Sequence, residues 1–330
     1  MFNFNRLVDF QEFDPLCHFM SQRYRYSNNE FRTKGSLMYP KQAKPVSAKT
    51  LVIDLLSTMP ARHPVPVGAL VRAAALFGIG ENSMRVALAR LRSRGSIESD
   101  TRGFYRLSRK AQPVNRKVRS WPTLEQGVCD WDGSYLAVET SGLPRRDRRG
   151  AKVRDRALRL LGFERLSPAL MVRPNNLVGG ATTCRERLVE LGFAPTPVLF
   201  QLNDLDPKLE QRARNLWATA DLEARYAETR ANLERSTARL PERSLDEAMA
   251  ESFQIGGEAV RQLVLDPLLP KEIIDTAARS ALVEAMRQYD RVGREAWKQW
   301  AGASVELERS PVDMGTLDSV PSEVPGLASR

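Results

Sequence analysis

The hydrophobic period of this chain changes sharply at Gly95, and few architectures accommodate what lies on both sides. Before it, three segments carry helix signals. Ser47 can N-cap a helix over 48–59, whose Leu51, Ile53, Leu55 and Leu56 supply a buried side, and Pro60 stops it. After an extended connector, His63-Pro64-Val65-Pro66, a second helix over 67–76 ends at Phe77-Gly78-Ile79-Gly80, with glycine at or just past its C-cap. A third helix covers 81–94. Beyond Gly95, Ser96–Ser99 and Phe104–Leu107 flank Asp100-Thr101-Arg102-Gly103, the composition of a hairpin with a glycine-containing turn. Three helices and a hairpin in so short a span are the order of a winged helix-turn-helix, expected here over 47–112.

Charge points to the same block. The net charge is +10, and residues 48–112 carry 11 Lys/Arg against four Asp/Glu. A localised basic block implies a polyanionic partner; an Arg-rich solvated surface is the plainer alternative. On the third helix, Met84, Ala87, Leu88 and Leu91 fall at i, i+3, i+4 and i+7 and must face a core. The opposite face is then Asn82, Val86, Ala89 and Ser93, flanked by Ser83, Arg85 and Arg90. Short residues on that ridge let a helix seat deeply in a major groove. Asn can pair with adenine, Arg with guanine, and Val or Ala can touch a thymine methyl. Arg102 in the wing and Arg106 after it suit phosphates. Ordinary surface helices interleave acids with bases, yet no Asp or Glu occurs between Glu81 and Glu98.

Several alternatives weaken on inspection. Gly78-Ile79-Gly80-Glu81-Asn82-Ser83 approximates a dinucleotide fingerprint, but it follows a helix rather than a strand and lacks a third glycine. Three cysteines without close spacing and two histidines (His18 and His63) offer no zinc pattern, and Asp130/Asp132 lack a third clustered acid. Catalytic residues, metal ligands and cofactors are therefore not expected. Asp9, Glu12 and Asp14 interrupt any secretory apolar core, and no run approaches the ~20 apolar residues of a membrane span, so a cytoplasmic protein away from membranes is expected.

The remainder divides by composition. Residues 1–46 mix aromatic and polar residues without a period and end in a Pro/Lys-rich stretch, as a disordered extension would. Because ordered patterning begins only after it, Met38 is expected to be the functional start. Residues 113–126 read as a linker. Over 127–206 the order is βαββαβ, suggesting a ferredoxin-like middle domain: strand 134–140, helix 144–161, strands 163–166 and 169–173, helix 180–191 and strand 197–202. Residues 207–302 are helical, and 303–330 read as a disordered tail. The fold class is thus α+β, with a winged helix, a ferredoxin-like middle and a helical C-terminal domain.

A second basic cluster, including Arg145, Arg149 and Arg156, is either a solvated helix face or a site for DNA phosphates or a phosphate-bearing ligand. Gly180 and Thr182 open a helix whose N-terminus could take an anion, or merely cap it. A rival reading makes the middle domain a metal-dependent nuclease using carboxylates such as Glu139, although several convergent carboxylates cannot be assembled.

Leu76-Phe77-Gly78-Ile79-Gly80-Glu81, followed by Met84-Arg85-Val86-Ala87-Leu88-Ala89-Arg90-Leu91 and Gly95, resembles the winged-helix segment of the PaaX-type regulators, repressors of phenylacetic acid catabolism and its relatives. The likeness continues through Trp131-Asp132-Gly133, Leu158 to Phe163, Trp217…Asp221-Leu222…Tyr226 and Leu265-Asp266-Pro267-Leu268-Leu269-Pro270, covering roughly residues 47–300. It implies a dimeric repressor that binds double-stranded operator DNA and is released by a small effector, an acyl-CoA in the best-known members. On that logic the arginine cluster and the 179–183 helix start would hold phosphates, and Trp217 and Tyr226 would line an acyl slot. Dimerisation is expected through the C-terminal helices, with Trp297 and Trp300 as candidate anchors.

Overall fold

The computed structural model describes residues 46–58, 64–144 and 147–309. The expected start at Met38, nearly all of the N-terminal extension, Arg145 and residues 310–330 lie outside the described residues.

The first unit is built as the period change demands. Helix α1 (Ala48–Thr58) is N-capped by Ser47, whose Oγ accepts from the Thr50 amide at 3.1 Å. Strand β1 (Val65–Pro66), helix α2 (Val67–Ala75) and helix α3 (Glu81–Ser93) follow, then strands β2 (Ile97–Ser99) and β3 (Phe104–Leu107). Gly95 adopts φ +68, and the Ser96 amide reaches back to the Leu91 carbonyl, so α3 ends in a left-handed cap. The hairpin pairs Ile97 with Leu107 and Ser99 with Tyr105. The connector before α2 does more than was expected of it. Val65 and Pro66 pair with Tyr105 and Phe104, making a three-stranded sheet of order β1-β3-β2. Proline is tolerated there because β1 is an edge.

The expected linker over 113–126 is a correction. Residues Gln112–Arg119 form helix α4, and Trp121–Gly127 form a 3-10 segment. Val114, Val118, Trp121 and Leu124 are buried. Their spacing of i, i+4 and i+7 is helical and apolar, so this stretch belongs to a core. Prolines suggested a break, but Pro113 and Pro122 sit in first turns, where the missing amide costs nothing.

The middle sheet comprises β4 (Tyr135–Glu139), β5 (Glu164–Ser167), β6 (Leu170–Pro174) and β7 (Leu199–Leu202), with helices α5 (Arg148–Leu160) and α6 (Gly180–Glu190) between them. Its order is β5-β6-β4-β7 and every pairing is antiparallel. The βαββαβ succession is as expected, although α5 starts later, at an N-cap formed by Asp147. Strand β4 is buried nearly throughout because both faces are covered. Leu136 and Val138 join the main core with residues of α5 and α6, whereas Tyr135 and Ala137 pack with Trp131, Val172 and Ala213.

Among the described residues four α-helices follow: α7 (Pro207–Arg214), α8 (Thr219–Arg239), α9 (Leu245–Val264) and α10 (Thr276–Arg309). The last continues past Gly302, so the tail does not begin at residue 303. Helix α9 opens with a capping box, Ser244 with Glu247. Gly256 lets α9 approach α10, since a Cβ there would lie 3.3 Å from the Tyr289 ring. Trp297 is half-buried against the core. The side chain of Trp300 lies outside the described residues.

The three regions share one hydrophobic cluster, running from Leu51 through Leu158 to Tyr289. Phe77, in the turn before α3, meets Phe253 of α9 with ring centroids 4.8 Å apart. Gly162, at φ +74, backs onto Pro267: a Cβ there would lie 2.7 Å from the Pro267 Cα. Gly162→Ala is therefore expected to cost on the order of 1–3 kcal/mol, from the left-handed backbone and the clash together. Urea denaturation would check it, and an unchanged midpoint would refute the close approach.

Candidate nucleic-acid interface

The buried stripe of α3 is Met84, Ala87, Leu88 and Leu91, as its spacing required. The opposite face is therefore open. Asn82, Ser83, Arg85, Val86, Ala89, Arg90 and Ser93 are all exposed. Val86 is 48% exposed, an apolar side chain left open on this face. Arg102 lies in the β2–β3 turn and Arg106 on β3, both exposed. That turn is held by Asp100, whose Oδ1 accepts from the Arg102 and Phe104 amides at 3.0 and 2.9 Å.

The arginines differ in their engagements. Arg85 donates from Nε to Glu81 at 2.8 Å, one helical turn away, and Arg106 donates to Glu98 across the hairpin at 3.2 Å. Acids that bracket the face in sequence thus reach into it by i,i+4 and cross-strand pairing. Arg92 reaches Ser99 at 3.3 Å. No ion pair of Arg90 or Arg102 occurs among the described residues.

The basic surface extends beyond the wing. Arg106, Arg109, Arg116 and Arg119 border a groove together with Glu98, Asn115 and Ser120. Arg116 and Arg119 were missed because 113–126 looked like a linker. The signal was present, as basic residues alternating with the buried Val114, Val118 and Trp121.

The residues expected to hold an effector differ in exposure and in what they already bond. Arg149 is exposed on α5 and Arg156 half-buried; Arg145 lies outside the described residues. Arg154 of the same cluster is buried and structural, donating to the Pro144 and Ala194 carbonyls at 3.1 Å each. Gly180 and Thr182 open α6, where Gly179 and Gly180 both take positive φ. Trp217 and Tyr226, expected to line an acyl slot, are core residues. The Trp217 indole donates to the Gly162 carbonyl at 3.2 Å and the Tyr226 hydroxyl to Asp266 at 2.5 Å. Buried aromatic rings with polar tips must find such acceptors.

Glu139, the carboxylate of the nuclease reading, accepts from the Ser141 amide and is held below its ordinary acidity range by that turn. Among the described residues no group of three or more His, Cys, Asp or Glu is placed to hold a metal ion. Nothing supports the nuclease. Among the described residues, no helix is long and apolar enough to cross a membrane.

Residues 47–111 match the family model described as PaaX-like protein. That segment contains all the residues named above on α3 and the wing. No curated protein matches the chain. Among solved structures, uncharacterized protein Rv0674 from Mycobacterium tuberculosis is 19% identical, with a TM-score of 0.46, covering 76% of this chain and 99% of that one.

Removing the Glu81–Arg85 pair by Glu81→Gln is expected to change stability by no more than about 1 kcal/mol, because both side chains are solvated and the acid sits at a helix start. Thermal or urea unfolding would check this. A larger loss would mean that the pair orders the turn before α3.

Proposed function

We propose that this chain is a sequence-specific DNA-binding transcriptional regulator of the PaaX type, reading a major groove with α3 and gripping the flanking backbone with its wing. One observation carries the reading. Within the segment matching the PaaX-like family, α3 presents an open face of short side chains and arginines, with the wing turn beside it. In this reading Asn82, Arg85 and Arg90 meet base edges, Ser83 and Ser93 adjacent polar groups, and Val86 and Ala89 a thymine methyl. Arg102 and Arg106 neutralise phosphates. Arg85 and Arg106 must exchange exposed carboxylate partners for DNA, a small cost for solvated pairs.

A winged helix alone reads one half-site. A homodimer joined through the C-terminal helices would space two copies of α3 to match a two-fold operator. The resemblance adds repression of a catabolic operon and release by a small effector, with the protein working in the cytoplasm. Light scattering at operator-binding concentration should give twice the chain mass, and a monomer would count against the dimer.

The decisive experiment titrates wild type, Arg90→Ala and Arg102→Ala against operator and unrelated DNA at several salt concentrations, with genomic selection supplying the operator. Arg90→Ala is expected to lose about 1–3 kcal/mol on the operator and to relax sequence preference. Arg102→Ala should weaken all sequences alike and lower the salt slope by about 1. Equal affinity in all three proteins would sink the assignment of α3.

A further inference from the structure

Where α4 meets α6 and the turn after α9, the fold forms a half-open cavity of about 390 Å³ that the interface does not use. Part of its wall is apolar, formed by leucines including Leu124, Leu161, Leu177 and Leu191. The rest is cationic: Arg116 and Lys117 come from α4, Arg187 from α6 and Arg173 from β6.

The carboxylates in this wall already have partners. Glu190 pairs with Arg116 at 3.2 Å. Asp266 accepts from Tyr226 and from the Leu268 amide, with Arg279 at 3.8 Å. Arg173 is 1% exposed and spends its donors on the Pro174 and Leu161 carbonyls and Asn176. Lys117 and Arg187 are different. Among the described residues neither side chain has a hydrogen bond or ion pair, although both are half-buried. Asp266 attracts Lys117, but neither Lys117 nor Arg187 has a direct ion-pair partner among the described residues. Cations so incompletely compensated beside a leucine-lined space make a poor structural device. They make a good receptor for an anion with an apolar body.

We propose that this cavity binds a small organic anion, a carboxylate or phosphate on an apolar body, with Lys117 and Arg187 as its counter-charges. The volume is at the small end of ligand sites and suits an aryl-sized acid. Arg116 and Ser120 border both this cavity and the basic groove beside the wing. An anion that draws Arg116 inward removes charge from the groove, so occupancy weakens DNA binding. That consequence rests on the regulator reading; the binding itself does not.

The Lys117 ammonium supplies a signature. Burial first, then Arg173 and Arg187, lower it to about 8, while Asp266 opposes them. The other charged groups lining the space are Arg116 and Glu190, paired with each other. A bound anion favours the charged lysine and raises its pKa again. Affinity should therefore be flat below about pH 8 and fall above it, approaching tenfold per pH unit, with proton uptake on binding.

Calorimetry of the full chain with phenyl phosphate, benzoate, inorganic phosphate and phenol tests this. Phenyl phosphate or benzoate is expected to bind, phenol not, and inorganic phosphate more weakly than phenyl phosphate. Which of the two acids binds more tightly identifies the head group. Lys117→Met and Arg187→Gln should each lose about tenfold or more, as loss of a charge-assisted contact does, and Lys117→Arg should bind without the fall above pH 8. Circular dichroism verifies folding, and Arg187→Gln, on a half-exposed helix position, keeps the test if Lys117→Met unfolds. No binding by either acid at millimolar concentration, or equal binding to both loss variants, overturns the site. If phenyl phosphate binds as described but no DNA fragment binds the wild type, the regulator reading fails and the site stands. If an acyl-CoA ester releases DNA equally from wild type and Arg187→Gln while neither acid binds, the regulator reading stands and this site fails.

Discussion

Asp266 is a buried carboxylate, only 4% exposed, and its partners come from three parts of the C-terminal unit. Tyr226 donates from α8, the Leu268 amide from the following turn, and Arg279 approaches from α10. Burial raises its pKa while the arginine and tyrosine oppose that rise. A buried charge left without one partner typically costs several kcal/mol, so the three elements are tied to one arrangement. The turn that Asp266 begins then reaches outward. Pro267 fills the space behind Gly162, and the Leu268 carbonyl accepts from Asn176 at 2.7 Å. The middle sheet is docked onto the C-terminal helices at this node.

The same docking extends to the winged-helix unit. Phe77 rests on Phe253, Ser280 donates to Glu125, and Arg287 donates to the Pro122 carbonyl. Helix α4 and the 3-10 segment after it are therefore a packed spacer between the wing and the rest, with Val128 bridged to Leu177 on the sheet side. A regulator of the proposed kind, built this way, would need no flexible tether to pass a signal. Two sites are coupled when one element lines both and differs in free energy between their states, and α4 is placed to be that element.

The resemblance landmarks outside the winged segment find their reason in this packing. Trp131 donates to the Ser134 carbonyl, and Asp132 caps the turn at Gly133, whose φ is +87. Trp217 closes on Gly162, and Tyr226 on Asp266. These residues hold the domains together. Their aromatic character suggested a ligand slot because a buried aromatic with a polar tip looks the same in sequence whether its partner is a ligand or a carbonyl.

The sequence by itself determined the local elements and the open face of α3. Met84, Ala87, Leu88 and Leu91 can meet one core only if Asn82, Val86, Ala89 and Ser93 face away, and Gly95 must end the helix because the next step needs positive φ. The βαββαβ order was legible for the same reason, since period and caps act within a few residues. Tertiary structure decided everything that depends on residues far apart in the chain. Val65 and Pro66 became a strand because β3 offered an unpaired edge. The 113–126 stretch became a buried helix because α9 and α10 supplied apolar neighbours for Val114, Val118 and Trp121. Lys117 and Arg187, seventy positions apart, came to face one cavity. No local pattern records such a meeting, because charge and burial there are set by what packs alongside and not by what precedes or follows in sequence.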